Sequence, residues 1–249
     1  MSHRTAAQEL STASGTDSSR WYHGVTRYQW LVLVIASLGW VFDVFEGQIV
    51  VSARNDVLKA VSRPGAEEFH FNLILGAFLL GGAVGGVLFG VLSDRVGRKR
   101  VMSYTILMYS AFTCVSALSQ QWWHLASFRF LVAMGVGGEW AVASAMVAEV
   151  FPKRARAWSL GIFHASSVLG TYLAIAAGLC IPAIGWRGVF VMGAIPALLI
   201  LWVRTSLREP DNWQRAQSSA LAGVGEKLGS FADLFRGEWA RSTLVGVGL

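Results

Sequence analysis

Six stretches of the chain run for about 20 residues each with almost no charge, and polar, mostly basic segments separate them. The apolar stretches are Trp30–Val51, Phe71–Leu92, Val101–Leu118, Leu125–Ala148, Trp158–Cys180 and Gly185–Val203. A helix that crosses a hydrocarbon core needs about 20 apolar residues, so each stretch predicts a transmembrane helix. The pattern divides the chain into four parts. Residues 1–29 form a polar, Ser/Thr-rich N-terminal tail, and residues 30–204 form a six-helix transmembrane bundle. Residues 205–240 form a polar loop with amphipathic pieces such as Lys227–Phe235, suited to the membrane surface. Residues 241–249 begin another apolar segment that stops far short of a span and read as the start of a truncated seventh helix.

Composition agrees with a bilayer as solvent. The 249 residues are 54% hydrophobic and 14% charged, with mean hydropathy +0.48, whereas soluble domains carry about 25% charged residues. A net charge of +6 would point to nucleic acid in a soluble protein. Here basic residues report orientation, because they accumulate in cytoplasmic loops. Of the 21 Lys and Arg, sixteen fall on one side, in the N-terminal tail, the turns at 93–100 and 149–157, and the segment from residue 204. Arg54, Lys59, Arg63 and Arg187 fall on the other, and Arg129 lies within a span. The N-terminus and the segment after the sixth helix are therefore expected in the cytoplasm, the bundle in the cell membrane, and nucleic acid is no partner. The first 29 residues lack the apolar core and cleavage site of a signal peptide, so the first span is expected to act as an uncleaved anchor.

Charges inside the apolar runs carry the chemistry. Asp43 and Glu46 lie mid-way along the first span, three residues apart and so on one helical face. A charged group at membrane depth costs about 2.5–3.5 kcal/mol on insertion scales, so that face is expected to line water or meet a cation. Such a pair is suited to exchange one proton and to titrate as a unit. Arg129, near the start of the fourth span, offers a planar fork that fits a carboxylate. It would bind an anionic substrate or hold Asp43 or Glu46. Glu139, ten residues later, is either a second proton site or a buried packing residue. Gly81/Gly85, Gly82/Gly86 and Gly86/Gly90, each four apart, let helices approach at the backbone.

Two basic turns face the same side. The first reads Gly90-Val-Leu-Ser-Asp94-Arg95-Val-Gly97-Arg98-Lys99-Arg100, and the second Glu149-Val-Phe-Pro152-Lys-Arg-Ala-Arg156. Positive-inside anchoring explains their basic residues but not why Asp94 and Glu149 sit among them. Inter-helix ion pairs would. His124 and His164 read as interfacial or packing residues, and Trp122 and Trp123 as an interfacial belt. Cys114 and Cys180 read as packed thiols. The sequence holds no metal-ligand spacing, phosphate loop or nucleophile beside a base, so no metal, cofactor or enzymatic activity is expected.

The motif G-x-L-x-D-R-x-G-R-K at residues 90–99 resembles the signature loop of the major facilitator superfamily of secondary transporters. The run Arg129 to Glu139, with Gly135, Gly137 and Gly138, resembles its fourth-helix motif, and Glu149 to Arg156 is similar to the following motif of the metabolite–proton and sugar branches. Arg208-Glu-Pro-Asp-Asn-Trp213 loosely resembles the Pro-Glu-Ser-x-x-Trp segment after the sixth helix. Asp43-Val-Phe-Glu46 resembles the Asp-Gly-x-Asp of aromatic-acid and sialate proton symporters. The resemblance implies the N-terminal half of a major facilitator fold, built from two inverted three-helix repeats and expecting a second six-helix bundle. It implies alternating-access symport of protons with a small organic acid, such as an aromatic acid, sialate or a lactate-like monocarboxylate. It implies a cytoplasmic gating role for Gly90, Asp94, Arg95, Gly97, Arg98, Glu149 and Arg156. The competing reading is a transport-inactive fragment that acts as an assembly or regulatory partner of a full-length carrier. An intramembrane enzyme and a channel are weaker rivals.

Overall fold

The computed structural model describes residues 21–193, 195, 202–203, 205–222 and 240. Among them all regular structure is helical: α1 (Arg27–Ser52), α2 (Arg54–Val61), α3 (Glu67–Val96), α4 (Arg98–Ser116), α5 (Trp122–Val150), α6 (Lys153–Ala165), α7 (Ser167–Leu179), α8 (Ile181–Met192) and α9 (Asp211–Leu221). Residues 1–20 of the expected tail, residues 196–201 of the expected sixth span, Lys227–Phe235 and the expected seventh-helix start at 241–249 lie outside the described residues.

Among the described residues four helical stretches are long and apolar enough to cross a membrane: α1, α3, α5 and the run Lys153–Leu179 made of α6 and α7. They correspond to the first, second, fourth and fifth expected spans. α6 and α7 meet at Ser166, whose hydroxyl turns back on the Phe163 carbonyl at 2.6 Å, a bond that bends helices. The third expected span is α4. It is 19 residues long, but it carries Ser103, Thr105, Ser110, Thr113 and Ser116, and so falls short in hydropathy. Several of these hydroxyls are satisfied within the helix, as Ser103 on the Lys99 carbonyl at 3.0 Å and Ser116 on Phe112 at 2.8 Å. The expected sixth span starts at a kink inside α8, Gly185, where φ is 69°, and regular helix resumes at Trp186. The unforeseen element is α2, inside the connection between the first two spans. It buries Val57, Leu58 and Val61, and Arg54 at its start pairs with Glu68 of α3.

Helix faces meet at the backbone. A Cβ added to Gly81 or Gly85 of α3 would run into the carbonyl oxygens of Phe130 and Met134 on α5, and one added to Gly170 of α7 into that of Val41 on α1. Small residues at such crossings give helices in lipid the close dispersion contact that holds them together. At the other side of α5, Gly135 abuts the backbone of Tyr109 in α4. The start of α1 is fixed by a capping box between Thr26 and Gln29, and the Gln29 amide donates to the Val150 carbonyl at 2.8 Å, tying α1 to the end of α5.

The apolar interior is two cores rather than one. The first gathers Val32, Ile35, Met102, Ile106, Tyr109, Val142, Met146 and Phe163. The second gathers Phe45, Ile49, Val57, Leu125, Val189 and Phe190. Along α1, α4 and α5 alike, the polar positions Asp43, Thr113 and Arg129 fall between residues of the two cores.

Candidate functional site

Three helices supply the layer between the cores. α1 brings Gly39, Asp43 and Glu46, α4 brings Tyr109 and Thr113, and α5 brings Arg129 and Glu139. Spacings of three, four or seven put the α1 and α4 sets each on one helical face, while Arg129 and Glu139 lie ten residues apart along α5. Asp43 is 1% exposed, Glu46 0%, Arg129 1% and Glu139 0%. All four intramembrane charges anticipated from the sequence are therefore inside the bundle.

Glu46 is the best-held of the carboxylates. Its Oε2 accepts from the Thr113 hydroxyl at 2.5 Å and lies 4.0 Å from Arg129 Nη1. Arg129 also donates to the Glu46 carbonyl at 2.9 Å, and its guanidinium carbon stands 4.7 Å from the centroid of the Phe190 ring. A Cβ at Gly193 would press on Glu46 and on the Thr113 methyl. Arg129 is thus placed against Glu46, one of the two carboxylates it was expected to hold.

Asp43 and Glu139 differ from Glu46. None of their four carboxylate oxygens has a hydrogen-bond partner among the described residues. The charged neighbours of Asp43 are Glu139 and Glu46. Glu139 fits against α1 because Gly39 leaves room, and a Cβ there would collide with its carboxylate. The Tyr109 hydroxyl is likewise buried and unpartnered, and it lies within the field of all three carboxylates. Among the described residues three acidic groups thus share one buried layer with a single guanidinium. A bound proton is the smallest species able to balance the excess.

A second cluster lies at the turn between α3 and α4. Gly97 ends one helix and begins the other at φ 114°, a backbone state that side chains resist. Arg98 then reaches three partners: Asp94 at 2.6 Å, Glu149 at 2.8 Å from the end of α5, and the Ser93 hydroxyl. The inter-helix ion pairs expected of Asp94 and Glu149 both run through Arg98. Arg156, expected in the same set, stands at the start of α6 with its Nε buried and without a hydrogen-bond partner among the described residues. Gly90 has open space where a Cβ would be, and its carbonyl accepts from Ser93 at 2.7 Å.

Sequence reasoning missed what closes this cluster. Glu209 accepts from the Lys99 amide at 3.2 Å, capping α4, and its carboxylate fills the space a Cβ at Gly97 would need. Trp213 donates from its indole nitrogen to the Asp94 carbonyl at 2.7 Å. Tyr28, at the start of α1, accepts from the Arg208 amide at 2.9 Å and donates to its carbonyl at 3.2 Å. The segment from Arg208 to Trp213 therefore folds back on the turn between α3 and α4.

The Major Facilitator Superfamily profile matches residues 28–248. A putative metabolite transport protein of Haemophilus influenzae is 32% identical over 237 residues, 90% of this chain and 55% of that protein. The sialic acid transporter NanX of Escherichia coli is 32% identical over 200 residues, 79% of this chain and 48% of its own length. The chain thus spans about half the length of the curated relatives it matches. Among solved structures, a bacterial homologue of the human lysosomal transporter Spinster aligns with a TM-score of 0.70 at 21% identity, covering 90% of this chain and 50% of that one.

Proposed function

The chain belongs to the major facilitator superfamily, and from that premise we propose that it is the N-terminal six-helix half of a proton-coupled symporter for a small organic anion or related metabolite. It is a multi-pass membrane protein, with four span-length helices among its described residues. α4 and the helix that resumes at Trp186 complete six spans, with the N-terminus and the turns at 93–100 and 149–157 on the cytoplasmic side of the cell membrane. Two inverted repeats are supported by the crossings: a glycine of α3 packs on the backbone of α5 as a glycine of α7 packs on that of α1.

The observation that carries the reading is the buried layer of Asp43, Glu46, Glu139 and Arg129. Charges at this depth are retained for ion or proton traffic. Arg129 engages Glu46, so Asp43 and Glu139 are the proton carriers, and the substrate lies between this half and a second bundle. Kinship to a sialic acid transporter supports a carboxylate as cargo. Protonating the layer lowers its net charge and lets the loaded carrier reorient. The Arg98 cluster holds one orientation and opens in the other.

The test is uptake of sialate and of a panel of other organic acids into proteoliposomes bearing the intact gene product, with a pH gradient imposed. Wild-type uptake is expected to rise with an acidic outside. Asp43→Asn is expected to insert normally and lose the gradient-driven component by more than about 100-fold. Gradient-driven uptake by Asp43→Asn at the wild-type rate would end the proton role.

A further inference from the structure

One hydroxyl in the charged layer is buried without a task. Tyr109 of α4 is fully buried. Its ring belongs to the first apolar core, and a phenylalanine ring would fill that space as well. Its hydroxyl has no hydrogen-bond partner among the described residues. A buried tyrosine usually finds one, and each exception calls for a reason.

Two contacts fix where that hydroxyl stands. α1 and α4 run in the same direction, each passing from the first core, at Val32 and Met102, to the second, at Ile49 and Ala117. Thr113 of α4 is level with Glu46 of α1, since its hydroxyl donates to Glu46 Oε2 at 2.5 Å. A step back of four residues on α4 is about 6 Å and of three on α1 about 4.5 Å, so Tyr109 comes level with Asp43. From the other side, Gly135 of α5 abuts Tyr109: a Cβ there would stand 2.9 Å from both the Tyr109 amide nitrogen and its Cβ. Glu139 is one turn beyond Gly135 on the same face of α5. The tyrosine is therefore held between the two helices that carry the unpartnered acids.

The surrounding charges narrow the choice of partner. α1 brings Asp43 and Glu46, and α5 brings Arg129 and Glu139. On α4 itself the Cys114 thiol donates to the Val191 carbonyl at 3.7 Å. Arg187 of α8 lies beyond the end of α4, on the Ser119 carbonyl at 3.1 Å. The three carboxylates act on the phenol, Asp43 most strongly. Glu46 already takes the Thr113 hydroxyl and lies against Arg129. Glu139 is seated in the gap that Gly39 leaves. Asp43 has two carboxylate oxygens without a partner. A phenol able to donate and a carboxylate that only accepts once ionised thus share one level.

We propose that Tyr109 is a positioning residue for the proton carrier: its hydroxyl donates to Asp43 once Asp43 has released its proton, so that the ionised acid is held in the buried layer without drawing on Arg129. The proton leaves Asp43, an O–H···O bond takes its place, and the tyrosine keeps its own proton throughout. The proposal rests on the reading of Asp43 as a proton carrier and adds the group that receives it in the ionised state.

The experiment is infrared difference spectroscopy of the intact purified gene product, titrated with no substrate and no gradient, following the carboxylic-acid carbonyl band that Asp43→Asn removes. In Tyr109→Phe the midpoint of that band is expected to move to higher pH by about 1–2 units, the worth of a hydrogen bond to a charged acceptor. Thermal unfolding is expected to set Tyr109→Phe below wild type only above the midpoint, where the bond exists, and adding Asp43→Asn to both is expected to erase that pH dependence. No band that Asp43→Asn removes, an unmoved midpoint, or a stability gap equal at every pH overturns the proposal; the last is what a packing role alone predicts. Failure of the symport reading shows elsewhere, as uptake indifferent to the pH gradient while the Tyr109→Phe shift persists.

Discussion

Arg98 and Arg129 are the same residue type in two settings, and the contrast bears on the role proposed for each. Arg98 sits at the rim, 12% exposed in its side chain, with carboxylates at 2.6 and 2.8 Å and a serine hydroxyl besides. Arg129 is 1% exposed, its nearest carboxylate oxygen is 4.0 Å away, and its Nε and Nη2 have no hydrogen-bond partner among the described residues. Arg98 is close to fully used and acts as a clasp between helices. Arg129 is under-used, held by one backbone carbonyl and a ring face, and so keeps bonding capacity for a rearranged layer. A clasp must hold until it opens. In the proposed cycle, a counter-charge that serves more than one carboxylate must not hold any one too well.

The largest effect should come from stranding the buried charge. Glu46→Ala leaves Arg129 without its carboxylate and is expected to cost about 3–5 kcal/mol, read as a lower unfolding temperature in detergent. Adding Arg129→Met to that variant should recover most of the loss. A double variant no more stable than the single would mean that Glu46 matters through Thr113 instead. Next, Arg129→Lys keeps the charge but loses the planar contact with Phe190 and the fork that reaches the Glu46 carbonyl. Transport is expected to fall by about tenfold with folding retained, since the two cations are not interchangeable at a stacked site. Unchanged kinetics would reduce Arg129 to a plain positive charge.

At the rim the numbers shrink. Arg98→Ala should cost about 1–2 kcal/mol, because its partners are partly solvated, and should raise labelling of single cysteines placed along the α3–α4 turn. Raising salt from about 0.1 to 1 M shortens the screening length from about 10 to 3 Å. It should therefore weaken the Arg98 clasp while leaving the Arg129 layer untouched. Equal salt sensitivity at the two sites would erase the distinction. Smallest is Glu209→Gln, which weakens the cap on α4. About 1 kcal/mol is expected, seen as faster amide exchange in the first turn of that helix.

The sequence made the charges legible because the bilayer makes them conspicuous: Asp43, Glu46, Arg129 and Glu139 interrupt runs that hold almost nothing else polar. Asp94 and Glu149 were legible for the converse reason, as acids among bases. The partners that complete both sites were not. Thr113 and Tyr109 are unremarkable in a helix rich in hydroxyls, and nothing in their spacing says that one meets Glu46. Gly39 and Gly193 act by leaving room, which no pattern of side chains records. Glu209 caps an amide 110 positions away, a relation that only the closed bundle creates. The spans themselves are apolar on nearly every face, so hydropathy found the helices but not which faces meet. α2 and the turn at Ser166 escaped because each is a local deviation inside a stretch whose average character is unchanged.

One short contact has a mechanical consequence. Because a single phenol, Tyr28, both gives and takes a hydrogen bond at Arg208, the chain at Arg208 is stitched to the foot of α1. A tug on the downstream chain is then delivered to α1, the helix that carries Asp43 and Glu46, rather than being absorbed by slack. Tyr28→Phe would remove that stitch without altering a single charge.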